Sequence, residues 1–473
     1  MEPSKVFENR SFVERVRGRA ADVFFSLLLL LCMLIPFQPR IYKFLQPFSL
    51  SLINPGWHLP PYFEVHLDIF ISDFVILLLV FYGLKKSLMQ WKSFWEGENK
   101  FLSLFLLISL ASIIHSPFAT YPLPYWRWMH LVLPAGLFFL LSRYRIEEGS
   151  FSKIAQAVLA ASLLECAIAI PQYFLQHSLG LKVLGEPTLM GRHYLGSHFP
   201  MSDGSVWIFD RLFYGVRQHF FVIRAYGTLP HPNILGGFMV LGLIMTYYLW
   251  GQGKKRGLLS GAIALQVFCL FITYSRSALY AAGFVTVVWV LLTSLKEKKI
   301  SALVWVAGGS FLLSLGLLYP QLFERGGVVS YNAVAQSSDA LRLTVQDVGI
   351  AMLRAHPLLG IGFNNYMLAF PTFAQGPSLP ATYIHNLYLH LGVEVGILGV
   401  LSFLIFCFLV LKKGWEHRQS AEVLTCLCVF VAFLCIGLVD FYPLCAQQAR
   451  LIFFLSAGLV MSMTRYFGSR QSR

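Results

Sequence analysis

The sequence predicts an all-α, polytopic helical membrane protein of about twelve transmembrane helices, with a large extracytoplasmic loop that itself contains helix. Three observations carry this reading. Of the 473 residues, 56% are hydrophobic and 13% charged, with a mean hydropathy of +0.63. Soluble chains hold roughly half apolar and a quarter charged residues. The apolar residues come as continuous runs without period-two alternation, which excludes a β-barrel. Finally, Lys and Arg gather in alternate connections between the runs, as the positive-inside rule requires.

The runs are 21–37, 69–84, 101–115, 128–142, 154–175, 232–250, 257–274, 277–294, 301–319, 386–411, 421–439 and 450–464. Several fall short of the ~20 residues that a crossing takes, and are read as extending into their polar flanks. With the N-terminus inside, the cytoplasmic segments are basic throughout. They begin with Lys5 to Arg19 and Lys85 to Lys100, and end with Lys412 to Arg418 and Arg465 to Arg473. Twenty-four of the 37 Lys and Arg fall on that side. Both termini are therefore expected in the cytoplasm, and residues 1–473 form a single integral membrane domain. The first run lacks a small-x-small cleavage pattern and is read as an uncleaved helix. Seven of the eight Cys lie within runs, and no Cys-x-x-Cys pair is present, so neither a disulfide framework nor a cysteine metal site is expected. The net charge of +14 would raise nucleic acid as a partner on a soluble chain. Here it encodes topology: membrane lipids are expected partners and nucleic acid is not.

Two outer segments are far longer than the rest, 176–231 and 320–385, the second being the large outer (periplasmic) loop. The first carries Gly191-Arg192-His193-Tyr194, Trp207 and Phe213-Tyr214. The second carries a helix from Leu341 to Ala355, apolar at 341, 345, 348, 352 and 353, that breaks at His356-Pro357. That pattern fits a helix lying on the membrane or a lid over a site open to the outer face. No internal repeat is visible.

Five features hold chemistry. Arg276 lies in Thr273-Tyr274-Ser275-Arg276-Ser277, between two apolar runs with almost no loop. An ionisable group at membrane depth is costly. It is either a snorkelling arginine or a guanidinium fork for a diphosphate. The stretch Arg224 to Asn233, with Gly227, Pro230, His231 and Pro232, fixes an unusual backbone and opens the next helix, whose first N–H groups favour anions. Plain loop punctuation accounts for its prolines, less well for Arg224 and His231. Tyr383 to His390 opens another run. His385, beside Asn386, is a candidate general base, and His390 reads as an interior histidine. The two are five apart, which is not a zinc-binding spacing. Arg342 begins the surface helix, and Arg354 near its end suits lipid headgroups. Glu165 and Glu394 lie inside runs, as partners for arginine, protonated core groups or a catalytic acid. There is no HExxH, Walker A or GxGxxG pattern, and no cofactor or metal is expected.

These residues resemble the O-antigen ligase and polymerase superfamily, membrane glycosyltransferases that act on lipid-linked glycans. The matching pieces stand in family order. They are R-x-x-G-T-x-x-H-P-N at 224–233, T-x-S-R ending at Arg276, and Arg342 with its helix into His356-Pro357-Leu358-Leu359-Gly360-Ile361-Gly362. Then follow His385-Asn386-x-x-Leu389, Glu394-x-Gly396-x-x-Gly399 and Asp440-x-Tyr442. The resemblance covers 220–465; residues 1–220 match in topology alone. It implies that Arg224 and Arg276, with Arg342 as a third contact, hold the diphosphate of an undecaprenyl-diphosphate-linked glycan. His385 would deprotonate or orient the acceptor hydroxyl. His231, Asn233, Ser275, Asn386 and Glu394 would support the site, which faces the periplasm or cell exterior from the bacterial cytoplasmic (inner) membrane. Transfer would be inverting and metal-independent.

The acceptor stays open: a glycolipid (the lipid A core) for a ligase, another lipid-linked glycan for a polymerase, Ser or Thr for a protein O-oligosaccharyltransferase. The ligase is placed first, because His385 directly follows a single large outer loop. The competing class is a transporter or flippase of an anionic lipid-linked substrate, which would show discontinuous helices and mid-span charges in paired halves.

Overall fold

The computed structural model describes residues 23–38, 69–86, 88–187, 198–200, 221–298, 301–324, 333–374 and 382–471. The basic N-terminal stretch and the segment holding Arg192, Trp207 and Phe213 lie outside these residues.

The chain is an all-α, polytopic membrane protein, and each predicted run falls on a helix. These are α1 (Val23–Leu34), α2 (Ile71–Lys85), α3 (Gly97–His115), α4 (Pro122–Leu141), α5 (Glu148–Leu175) and α6 (Pro232–Gly251). They continue with α7 (Arg256–Ile272), α8 (Arg276–Glu297) and α9 (Leu303–Glu324). After the loop helices α10 (Ala333–Ala355) and α11 (Tyr366–Phe373) come α12 (Leu387–Glu416), α13 (Ala421–Gly437), the single turn α14 (Tyr442–Cys445) and α15 (Gln447–Gln471). Among the described residues six helices are long and apolar enough to cross a membrane: α3, α5, α6, α8, α12 and α15. Four more apolar helices, α1, α7, α9 and α13, are shorter. Among the described residues, strand is confined to a short antiparallel pair, β1 (His198–Pro200) and β2 (Phe221–Ile223), which leads into Arg224.

The bundle is organised around α6, whose apolar stretch is 94% buried. A helix apolar all round belongs in the interior; α5, α7, α8, α13 and α15 surround it. Gly236 lets α6 approach α8 closely, since a Cβ there would stand 2.7 Å from the Ala278 Cβ. The outer loop forms a second, smaller core. On α10, Val345, Val348 and Met352 pack against Ile361, Tyr366, Met367, Phe370, Ile384 and Val393. Much of the apolar face of that predicted surface helix is thus covered by the protein itself rather than laid wholly on lipid.

The helix α12 is discontinuous. Gly396 sits at φ 66°, ψ −177°, which opens the backbone. The segment after α10 fills the gap: Ile361 and Gly362 donate to the carbonyls of Val393 and Glu394, and Ile397 donates to Pro357. Groups freed by a broken helix must find partners inside a membrane. The His356-Pro357-Leu358-Leu359-Gly360-Ile361-Gly362 stretch supplies them. A Cβ on Gly396 would overlap the Leu358 carbonyl.

Candidate active site

The site grows from three helix starts. His231 precedes α6 and its Nδ1 accepts the Asn233 N–H at 3.1 Å. Ser275 precedes α8 and accepts the Ala278 N–H at 3.4 Å. Asn386 precedes α12 and its Oδ1 accepts the Leu389 N–H at 2.9 Å. Each residue satisfies one orphan donor of its helix, and each helix presents the positive end of its dipole there.

The buried loop before α6 is held by α5. Gly227 takes φ 62°, and a Cβ on it would overlap the Glu165 carboxylate. Gln172 brackets the same residue, accepting the Gly227 N–H at 2.8 Å and donating to its carbonyl at 2.9 Å. Glu165 accepts the Thr228 N–H at 3.0 Å and the Thr228 hydroxyl at 2.5 Å. Glu165 and Gln172 therefore satisfy backbone that would otherwise be stranded away from water. Of the readings open for Glu165, the core group fits best.

Arg224 is 1% exposed. Its Nε donates to the Thr273 carbonyl at 2.7 Å, and an Nη donates to Asn233 Oδ1 at 2.5 Å. It thus ties the loop to the α7–α8 hairpin. Only Thr273, Tyr274 and Ser275 separate those helices, with Tyr274 at φ 49°. Arg276 is the first residue of α8 and is exposed. The two arginines differ in kind: one braces the hairpin, the other projects from it.

The chain of polar contacts continues to His385. Asn233 Nδ2 donates to Asp440 Oδ2 at 2.7 Å, and Asp440 Oδ1 stands 3.6 Å from His385 Nδ1. That second distance is an electrostatic contact, longer than a hydrogen bond, as catalytic pairs often are before substrate binds. The His385 side chain is 24% exposed and Asp440 5%. Burial raises the Asp440 carboxyl; His385, then His231 and the Asn233 amide, outweigh it and hold the group below the ordinary aspartate value. Asn386 Nδ2 donates to the Leu438 carbonyl at 2.9 Å, fixing the start of α12 against the connection that carries Asp440.

Arg224, His231, Asn233, Ser275 and His385 are thus gathered into one region, joined by Asp440. Arg342 lies half-exposed on α10, beside Leu341 and Val345 of the smaller core. Glu394 is not at the mouth. It is buried beside His390, Nε2 to Oε1 3.5 Å, and the backbone N–H groups of Asn364 and Tyr366 point to it. In the sequence Asp440 stands out only by resemblance, and its link to His385 is a finding of the fold. Absent from the sequence-based candidates are Asp73, His130 and Gln447, a buried cluster in which Gln447 donates to Asp73 Oδ1 at 2.8 Å and His130 lies 3.5 Å from Oδ2. The signal for Asp73 and His130 was an ionisable residue within an apolar run.

The family model described as O-antigen ligase matches residues 261–404, from within α7 to within α12. That span contains Arg276, Arg342, His385 and Glu394. The chain is 27% identical over 256 residues to the general O-oligosaccharyltransferase of Acinetobacter baylyi, covering 51% of this chain and 43% of that protein. It is 26% identical over 222 residues to the O-antigen ligase of Pseudomonas aeruginosa, covering 46% of this chain and 50% of that one. The chain is thus similar to the O-antigen ligase family across residues 261–404, and to these two glycan-transferring relatives over about half of its length. The chain spans about half the length of the curated relatives it matches. Arg224, Asn233 and Asp440 fall outside the matched family span, and contacts in the fold join them to its residues.

Proposed function

We propose that the chain transfers a glycan from undecaprenyl diphosphate to an acceptor hydroxyl, as an O-antigen ligase acting on a lipid A core. The observation that carries this is the contact chain from Arg224 through Asn233 and Asp440 to His385. It couples a base to the hairpin that presents Arg276. With Nδ1 held toward Asp440, His385 offers Nε2 to the acceptor O–H. The acceptor oxygen attacks the anomeric carbon and forms the new glycosidic bond as the sugar–diphosphate bond breaks. The departing electron pair goes to a phosphate oxygen and the proton to His385 Nε2. Arg276 meets the developing charge, with Arg342 as a further contact and the N-terminus of α8 behind it. Arg224 acts by bracing the hairpin. Attack opposite the leaving group inverts the sugar carbon, and fixed cations take the place of a metal. The site faces the outer side of the bacterial inner membrane, with both termini cytoplasmic.

A second reading keeps this chemistry and changes the acceptor to a protein Ser or Thr. The longer of the two matches, to a general O-oligosaccharyltransferase, supports it.

The test is transfer from a defined undecaprenyl-diphosphate oligosaccharide by the purified chain in lipid, with lipid A core and a Ser-containing protein as competing acceptors. Arg276→Ala and His385→Ala are run beside the wild type, with and without EDTA. Labelled core and two inactive variants are expected. Full activity in both variants overturns the site, loss on adding EDTA overturns metal independence, and labelled protein alone selects the second reading.

A further inference from the structure

A cavity of about 360 Å³ opens at the opposite end of the bundle from His385. The helix α6 connects the two ends; its 20 residues span about 30 Å. Arg256, Lys296 and Arg418 line the cavity together with Trp250, Trp289 and Ser301. The described lining residues include no carboxylate. Glu422, behind Tyr248, accepts from the Tyr248 hydroxyl at 3.1 Å and from Ser420 at 2.7 Å.

The cations are arranged by their neighbours. Arg256 lies 4.5 Å over the Trp250 ring, and Arg418 lies 4.4 Å over Trp415. Lys296 Nζ donates to the Gln419 carbonyl at 2.8 Å, which brings the end of α8 to the α12–α13 connection. The starts of α7, α9 and α13 meet the same space through Arg256, Ser301-Ala302 and Ala421. An independent observation points to a missing acceptor: Trp289 is 4% exposed and its indole N–H is buried without a hydrogen-bond partner. Three cations, three helix starts and an unused donor are complementary to a phosphate. Leu258, Leu291 and Leu295 nearby are exposed apolar residues, as a surface bathed in acyl chains requires. Free phosphate has no use for them.

We propose that this cavity binds the phosphate headgroup of an anionic glycerophospholipid from the leaflet opposite the transfer site. Basic pockets between membrane helices take such headgroups, and tryptophan at the interface anchors them. The site stands apart from the transfer chemistry and does not depend on it.

The experiment uses the full chain in neutral detergent, with lipid retention read by native mass spectrometry during titration. The probes are phosphatidylglycerol, phosphatidylcholine and inorganic phosphate. Phosphatidylglycerol is expected to bind in preference to phosphatidylcholine. The variant R256Q/K296Q/R418Q should weaken it about a hundredfold, since each cation near a membrane contributes about fivefold. Trp289→Phe keeps an aromatic ring, removes the donor and should weaken binding about tenfold; it carries the test where the triple variant fails to fold. Equal binding of both lipids, or unchanged phosphatidylglycerol binding in Trp289→Phe, overturns the proposal. Displacement of the lipid by millimolar inorganic phosphate assigns the cavity to free phosphate and overturns the lipid source.

Discussion

Two histidine–carboxylate pairs flank Phe441, and they differ in almost everything except distance. His385 stands 3.6 Å from Asp440 and His390 stands 3.5 Å from Glu394. The ring of Phe441 lies 5.7 Å from the first histidine and 6.0 Å from the second. The His385 side chain is 24% exposed, the His390 side chain 2%. Asp440 is wired through Asn233 to Arg224. Glu394 instead receives backbone N–H groups from Asn364 and Tyr366, beside the break in α12. On the proposed function, the exposed pair serves the chemistry and the buried pair the architecture, at one and the same spacing.

The largest expected effect separates the two pairs directly. His385→Ala should lower the transfer rate by about 10²–10⁴-fold, the usual contribution of general acid–base catalysis, with only a small fall in the thermal unfolding midpoint from the lost contact to Asp440. His390→Ala should keep the rate within a few-fold and lower the midpoint, because it opens space beside a buried carboxyl. Equal rate losses in the two variants would break the distinction. Next in size is Arg276→Lys. It retains the charge but loses the paired donors, so transfer should fall by about tenfold or more through weaker hold on the diphosphate. An unchanged rate would return Arg276 to the role of an interfacial snorkel.

Continuous apolar runs made the helices legible, because a membrane demands length and hydrophobicity from every crossing. Arg276 and His385 were legible as well, since polar residues at span ends stand out against their surroundings. What the sequence hid lies in pairings across distance. Asn233 and Asp440 are 207 positions apart, and nothing local indicates that they bond. The burial of Arg224 was equally invisible: the same motif fits an arginine offered to substrate and one spent on Thr273. Glu394 stood out as an ionisable residue within a run. Its distance from the mouth follows from the opening of α12 at Gly396, and from the loop that fills it.

That break supplies the third test. Gly396→Ala puts a side chain at φ 66° and into the Leu358 carbonyl. That backbone, φ 66° with ψ −177°, is essentially restricted to glycine and costs a side chain about 1–3 kcal/mol, and displacement of the 357–362 segment adds to it. Denaturant unfolding in detergent should show a loss of about 2–4 kcal/mol. If transfer by the folded fraction stays near wild type, the Glu394 region is architectural. If it collapses with His385 intact, the two pairs are coupled after all.

The smallest effect concerns acid. The Asp440 carboxyl is held below the ordinary aspartate value, chiefly because His385 and His231 offset its burial. The folded state therefore binds that proton less readily than the unfolded chain does. The resulting stabilisation is complete above the unfolded value of about 3.9 and disappears as pH falls through the lower folded value. Asp440→Asn should consequently flatten the acid limb of the stability profile while leaving Glu394 and its surroundings unaltered. It should also slow transfer at neutral pH, where wild-type Asp440 is ionised and orients His385. A variant that shows the flattened limb at full transfer rate would separate the electrostatic contact from the chemistry. His385 would then need another partner to hold its Nε2 toward the acceptor.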